Sequence, residues 1–92
     1  MIRSFRHRGL RRLYERGDRR RLQAGQVNRI EDILARLDTA NSPTMLDLPG
    51  YVLHPLKGQM SQFWSVRVSG NWRIVFRFAD GDAFDVDLVD YH

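Results

Sequence analysis

The sequence predicts an α+β domain in which two N-terminal helices pack on one face of a small, mainly antiparallel sheet. Three observations carry that reading. Before Pro43, apolar residues recur at helical spacing, and after it they alternate at the strand period. The second half also carries turn chemistry, Ser69-Gly70-Asn71 and Asp80-Gly81-Asp82, between three such alternating runs. Helices first and strands after is the order that segregates helices to one side of a sheet.

The elements follow in chain order. Ile2–Phe5 reads as a short edge strand, which would make the sheet mixed. Leu10, Leu13 and Tyr14 stand at i, i+3 and i+4, a helix over Arg8–Arg16 closed by Gly17. A longer helix is expected from about Gln23 to Thr39 on the stripe Val27, Ile30, Ile33, Leu34 and Leu37, with Arg29, Asp32 and Arg36 pointing elsewhere. Asp32 and Arg36 stand four apart, acid first, the favourable order. Asn41-Ser42-Pro43 ends this helix. Tyr51–Leu56 is extended, and Pro55 confines it to an edge or a strand end. Gln62–Val68 puts Trp64, Val66 and Val68 on one face. Trp72–Phe78 puts Trp72, Ile74, Phe76 and Phe78 on one face and Arg73, Val75 and Arg77 on the other. Phe84–Asp90 puts Phe84, Val86 and Leu88 inward and Asp85, Asp87 and Val89 outward. Three-residue loops keep facing residues on a shared side, pairing Val66 with Ile74, Phe78 with Phe84 and Arg77 with Asp85. In that register Arg73 and Val89 are cross-strand neighbours, Tyr91 continues on Arg73's side, and Asp90 follows the inward parity.

Composition bounds the function. The 92 residues make one domain, 1–92, and 42% hydrophobic content with ten aromatics is too apolar for a disordered chain. Without cysteine there is no disulfide or thiolate metal site. No 18-residue apolar run exists, and Met1–Phe5 is basic without the apolar stretch of a secretory signal, so a cytoplasmic protein with no membrane partner is expected. The net charge of +4 is uneven: residues 1–36 hold eleven Arg against four acids, and residues 37–92 hold four bases against seven acids. Fourteen of the fifteen cations are Arg, the side chain suited to bidentate phosphate contacts. A phosphate-facing N-terminal half explains this, and so does a solvated helical face or an acidic partner.

The candidate chemistry lies in the second half. Asp90-Tyr91-His92, His54 in Leu53-His54-Pro55-Leu56-Lys57-Gly58, and Arg73 in Asn71-Trp72-Arg73 supply proton-transfer groups and a cation. His54 and Lys57 join Arg73 only if Tyr51–Leu56 lies alongside. Each residue also has a plainer reading: His54 at a strand end, Arg73 in a salt bridge, Asp90–His92 frayed, His7 exposed. Asp80, Asp82, Asp85 and Asp87 lack the convergent spacing a magnesium site needs, so no metal and no cofactor is expected.

Five blocks resemble one family in order: Leu-His-Pro-Leu-Lys-Gly at 53–58, Trp-Ser-Val-Arg-Val at 64–68, Asn-Trp-Arg-Ile-Val-Phe-Arg-Phe at 71–78, Gly-Asp-Ala-Phe at 81–84 and Asp-Tyr-His at 90–92. With Met-Ile-Arg-Ser-Phe-Arg-His-Arg-Gly-Leu at 1–10, they resemble HigB, a toxin family of the RelE/ParE superfamily. The resemblance implies a RelE-like fold and a toxin of a type II toxin–antitoxin system. It implies a ribosome-dependent endoribonuclease that cuts mRNA in the A site of the 70S ribosome, and a HigA-like helix-turn-helix antitoxin as partner. It carries catalytic roles to His54, Arg73, Asp90, Tyr91 and His92, and a substrate-binding role to Lys57 as well as to Arg73 and Tyr91. Ribosomal RNA contacts fall to Arg6, Arg8, Arg11, Arg12, Arg19, Arg20 and Arg21. His92 or His54 transfers protons, and Asp90 is either the alternative base or the residue that orients an imidazole. The free toxin is expected to be a monomer. A gyrase-inhibiting toxin of the ParE type and a non-catalytic RNA- or protein-binding module are the competing classes, and the Asp-Tyr-His cluster argues against the first.

Overall fold

In the computed structural model of the chain, residues 1–91 are described. The element order is α1 (Arg8–Arg16), α2 (Val27–Thr39), β1 (His54–Pro55), β2 (Phe63–Ser69), β3 (Trp72–Ala79) and β4 (Asp82–Asp90), with short 3-10 turns at Ala24–Gln26, Pro43–Leu46 and Gly58–Met60. The strands form one antiparallel sheet in the order β1-β2-β3-β4. Ile2 and Phe5 form parallel bridges to Ala83 and Val86, so the N-terminal segment covers the β4 edge and makes the sheet mixed, as expected. The helices lie on one face, as the periodicities predicted.

α1 begins at His7, whose Nδ1 accepts the Leu10 backbone N–H at 3.2 Å. His7 is therefore half-buried as a cap, against the expectation of exposure. A Cβ at Gly9 would come within 2.8 Å of the His7 ring, so the cap needs glycine there. α2 starts four residues later than its stripe suggested, at Val27, because Ala24–Gln26 forms a separate 3-10 turn. Its apolar stripe is buried as predicted: Ile30, Ile33 and Leu37 are fully enclosed, against Val66, Ile74, Phe76 and Val86 of the sheet.

The register differs from expectation in one instructive way. Both hairpins close with two-residue loops, since Ser69 pairs with Trp72 and Ala79 with Asp82. Asp80 (φ 53°) and Gly81 (φ 81°) form the left-handed pair of a type I′ turn, whose twist suits adjacent strands. Side-chain parity is restored instead by bulges, one between Arg67 and Ser69 and one at Asp85, which stands at φ 55°. As a result Arg77 faces Phe84, Phe78 faces Ala83, and Ala83 takes the core position expected of Phe84. The expected pairs Val66 with Ile74 and Arg73 with Val89 form. The Arg77–Asp85 ion pair forms too, at 2.8 Å, because the bulge keeps Asp85 beside its partner.

Of Tyr51–Leu56, only His54–Pro55 joins the sheet, where His54 pairs with Ser65. Val52, two residues before, adopts φ 51°, an uncommon conformation for a β-branched residue. A clamp from α2 holds this stretch. The Arg29 guanidinium donates to the Gly50 carbonyl at 2.7 Å and to the Arg67 carbonyl at 3.0 and 3.2 Å, and lies 4.4 Å over the Tyr51 ring. The Tyr51 hydroxyl donates to Asp32, and the Arg67 N–H donates to the Tyr51 carbonyl at 2.7 Å.

Candidate active site

The face of the sheet turned away from the helices carries the candidate site. Directly opposed residues share a face, so the register lays out three rows across it. The first is Arg67, Arg73 and Val89, the second His54, Ser65, Val75 and Asp87, and the third Phe63, Arg77 and Phe84. Adjacent rows are two residues apart, about 6.7 Å. In the middle of this face Ser65 and Val75 are only 1% exposed, covered by the longer side chains around them. The guanidinium of Arg6 lies 5.2 Å over the Phe63 ring, although in a flat sheet three strand spacings of about 4.8 Å would separate them. The sheet curls over this side.

Arg73 is half-buried, and its Nη1 is buried without a hydrogen-bond partner among the described residues. Buried donors are ordinarily satisfied, and leaving one unpaired costs roughly 1–3 kcal/mol. Directly opposite stands Arg67, which has no carboxylate partner among the described residues either. Two like charges facing one another across strands are unfavourable. A bound anion satisfies the orphan donor and removes the repulsion at once. Arg67 was not singled out in the sequence, although extending the Val66–Ile74 register by one residue places it against Arg73.

His54 is exposed at the sheet edge, one row from Arg73 on the same face. Its Nδ1 lies 2.6 Å from the Pro55 carbonyl oxygen. A carbonyl only accepts, so Nδ1 carries a proton and Nε2 is the nitrogen that can take one. Lys57 follows, exposed, at the start of the Gly58–Met60 turn. At the other edge, Tyr91 donates its backbone N–H to the Asn71 carbonyl at 2.9 Å, which holds the end of β4 against the turn before Arg73, and its side chain is 41% exposed. Asp90 pairs with Trp72, which gives it the opposite parity from Arg73, as expected. His92 lies outside the described residues. Arg67, Arg73 and His54 thus share one face of the sheet, with the Tyr91 strand end at its β4 edge.

The Arg29 clamp fixes this border from behind. Burial first, and the Asp32 hydrogen bond second, push the Tyr51 hydroxyl up to about 12, so it remains a donor at any physiological pH.

The N-terminal cations divide. Arg8, Arg11 and Arg12 lie on α1 and line a hollow with Glu15 and Arg16, while Arg19, Arg20 and Arg21 lie in the link to α2. Arg11 pairs with Glu15, Arg19 with Glu31, and Arg12 and Arg20 with Asp18, whose carboxyl the Arg20 hydrogen bonds hold down at about 2. The Arg11–Glu15 and Arg19–Glu31 pairs are exposed, whereas Asp18 is largely covered in its two pairs. Arg6 stands apart, on the open face of the sheet. The acids considered for magnesium are engaged elsewhere: Asp82 with Arg3 and the N-terminus, Asp85 with Arg77. Among the described residues no three His, Asp or Glu side chains converge, and no helix is long and apolar enough to cross a membrane.

The chain is 46% identical over 92 residues to Endoribonuclease HigB of Proteus vulgaris, with the whole of both chains covered. Residues 3–92 match the HigB-like toxin family, described as the RelE-like toxin of type II toxin-antitoxin system HigB. The chain belongs to the HigB-like toxin family and is a RelE-like toxin of a type II toxin–antitoxin system.

Proposed function

We propose that the protein is an endoribonuclease that cuts mRNA in the ribosomal A site by attack of the ribose 2′-OH, and so halts translation. The observation that carries this reading is the buried Nη1 of Arg73, without a partner among the described residues, opposite Arg67 and on the same face as His54. That is the arrangement a phosphodiester with developing negative charge requires. The name of the Proteus vulgaris relative supports the same activity.

In the reaction a base removes the 2′ proton, and the alkoxide oxygen forms a bond to phosphorus. The bond from phosphorus to the 5′ oxygen then breaks, and an acid protonates the leaving oxygen. The products are a 2′,3′-cyclic phosphate and a 5′-OH. Arg73 and Arg67, with Lys57 assisting, stabilise the phosphorane oxygens. In this reading Nε2 of His54 exchanges a proton on the same face, and His92 and Asp90 fill the remaining proton-transfer or orienting roles. Asp90 does so by turning round the strand end, since its position in β4 has the opposite parity from Arg73. Tyr91 stacks on a base or holds the phosphate. The basic surface of α1 and of residues 17–23 faces ribosomal RNA, and a HigA-like antitoxin with a helix-turn-helix silences the toxin, which is a cytoplasmic monomer when free.

The test incubates purified protein with mRNA, with and without programmed ribosomes, and maps new 5′ ends. New 5′-OH ends within the A-site codon, only with ribosomes, are expected. No new ends in either arm would refute the reading.

A further inference from the structure

The face that carries Arg73 continues into the third row, where two guanidinium–aromatic contacts stand side by side. Phe63, Arg77 and Phe84 are directly opposed across β2, β3 and β4. Arg77 lies 4.9 Å over the Phe84 ring and Arg6 lies 5.2 Å over the Phe63 ring. We propose that this row is a nucleobase-stacking subsite, with the Arg6 plane as its platform, for the RNA strand whose cleaved link sits at Arg73. The proposal rests on the nuclease reading above.

The two arginines differ in a way that selects Arg6 as the platform. Arg77 is pinned, its Nε donating to Asp85 at 2.8 Å, and it lies over Phe84. Arg6 is exposed and has no carboxylate partner among the described residues. Its guanidinium lies over a ring that is only 8% exposed, while the Arg6 side chain itself is exposed to solvent. A base laid on the guanidinium from solvent makes a sandwich of base, guanidinium and phenyl ring, which gains stacking and cation–π attraction together. Nothing on α1 offers this, since the cations there have no ring beneath them among the described contacts.

Position identifies which strand supplies the base. The Phe63 row is four residues along β2 from the Arg67–Arg73 row, about 13 Å. That is too far for the base of the nucleotide whose phosphate Arg73 holds, and within reach of the next bases of an extended single strand. The intervening row is His54, Ser65, Val75 and Asp87, whose middle pair is only 1% exposed, so an extended strand would pass over this row rather than bind in it. Stacking tolerates every base, so this subsite sets the register and affinity of the message rather than its sequence.

The experiment couples a change in the RNA with a change in the protein. Messages carrying a single abasic nucleotide, scanned over the three positions on each side of the cut, are presented on programmed ribosomes to the wild type and to Arg6→Lys, which keeps the charge but loses the plane. At one flanking position the missing base is expected to lower wild-type kcat/KM by about ten-fold. Arg6→Lys is expected to show the same loss on the intact message and no further loss on the abasic one. Unchanged thermal unfolding of Arg6→Lys would confirm that the fold is intact. Equal abasic losses in both proteins, or none in the wild type at any position, would overturn the proposal. An Arg6→Lys loss on the intact message that adds to the full abasic loss on the modified one would also overturn it, assigning Arg6 to ribosomal RNA or to holding the N-terminal segment. Absence of cleavage by the wild type on every message is the distinct outcome that removes the nuclease reading itself.

Discussion

The two ends of the open sheet face treat arginine in opposite ways. At the end near Asp82 and Asp85, cations are neutralised: Arg3 and the N-terminus share Asp82, whose carboxyl they hold below the usual range, and Arg77 pairs with Asp85. At the end near Val89, Arg67 and Arg73 confront one another, and no described carboxylate is paired with either. The first end is built to hold the fold together. The second sets like charges against one another, which on the proposed reading a phosphate relieves.

The contrast is most sharply broken through the proton-transfer groups. His54→Ala and His92→Ala are each expected to lower single-turnover cleavage on programmed ribosomes by about 10²–10⁴-fold with circular dichroism unchanged. Full activity in either variant removes that residue from the chemistry. Arg67→Ala should lower the same rate by a smaller factor, on the order of ten-fold, because its guanidinium is exposed and screened. A loss as large as that of the histidine variants would make Arg67 an equal partner of Arg73.

Behind the site, Arg29→Ala removes three hydrogen bonds and the Tyr51 stack. It should destabilise the protein by about 1–3 kcal/mol in urea unfolding, and Arg29→Lys should recover only part of this. If neither variant moves the midpoint, the clamp does not hold the His54 strand.

The smallest expected effect concerns pH. The hydrogen bond to Asp38 pushes the Tyr14 hydroxyl up to about 12 and, with the Ile2 N–H, holds the Asp38 carboxyl below its usual range. A raised folded value means that the tyrosine contribution is complete below pH 10 and disappears as pH rises through about 12. The depressed Asp38 value means that its contribution is present above about pH 3.8 and disappears as pH falls through its lower folded value. Both windows lie outside the physiological range, so Tyr14→Phe should flatten the alkaline decline of stability and leave the rate at neutral pH unchanged. An alkaline decline identical to that of the wild type would deny the coupling.

Much of this molecule could be read from its sequence. The stripes on α1 and α2 and the alternation in β2 and β3 specify faces directly, because burial enforces the period. The bulges could not be read: a three-residue loop, or a two-residue loop followed by a bulge, restores the same parity. That ambiguity displaced Phe84 but spared the Arg77–Asp85 pair. His54 and Arg73 were recognisable as residues, and their shared face rests on a two-residue strand whose position no local signal fixes. Arg67 was hidden for lack of a further step along the register. Arg29 was read only as pointing away from the apolar stripe, because its targets are backbone carbonyls of distant residues, which leave no periodic trace.

The most direct measurement is paired, on Arg73→Met: single-turnover cleavage on programmed ribosomes, with the urea midpoint of the same preparation. If the guanidinium at 73 exists to hold a phosphate, cleavage falls by about 10²–10³-fold, while the midpoint stays or rises as the cross-strand repulsion of about 0.2–1 kcal/mol is lifted. Wild-type cleavage by this variant, or a midpoint that drops as it would on losing a structural ion pair, would contradict the account.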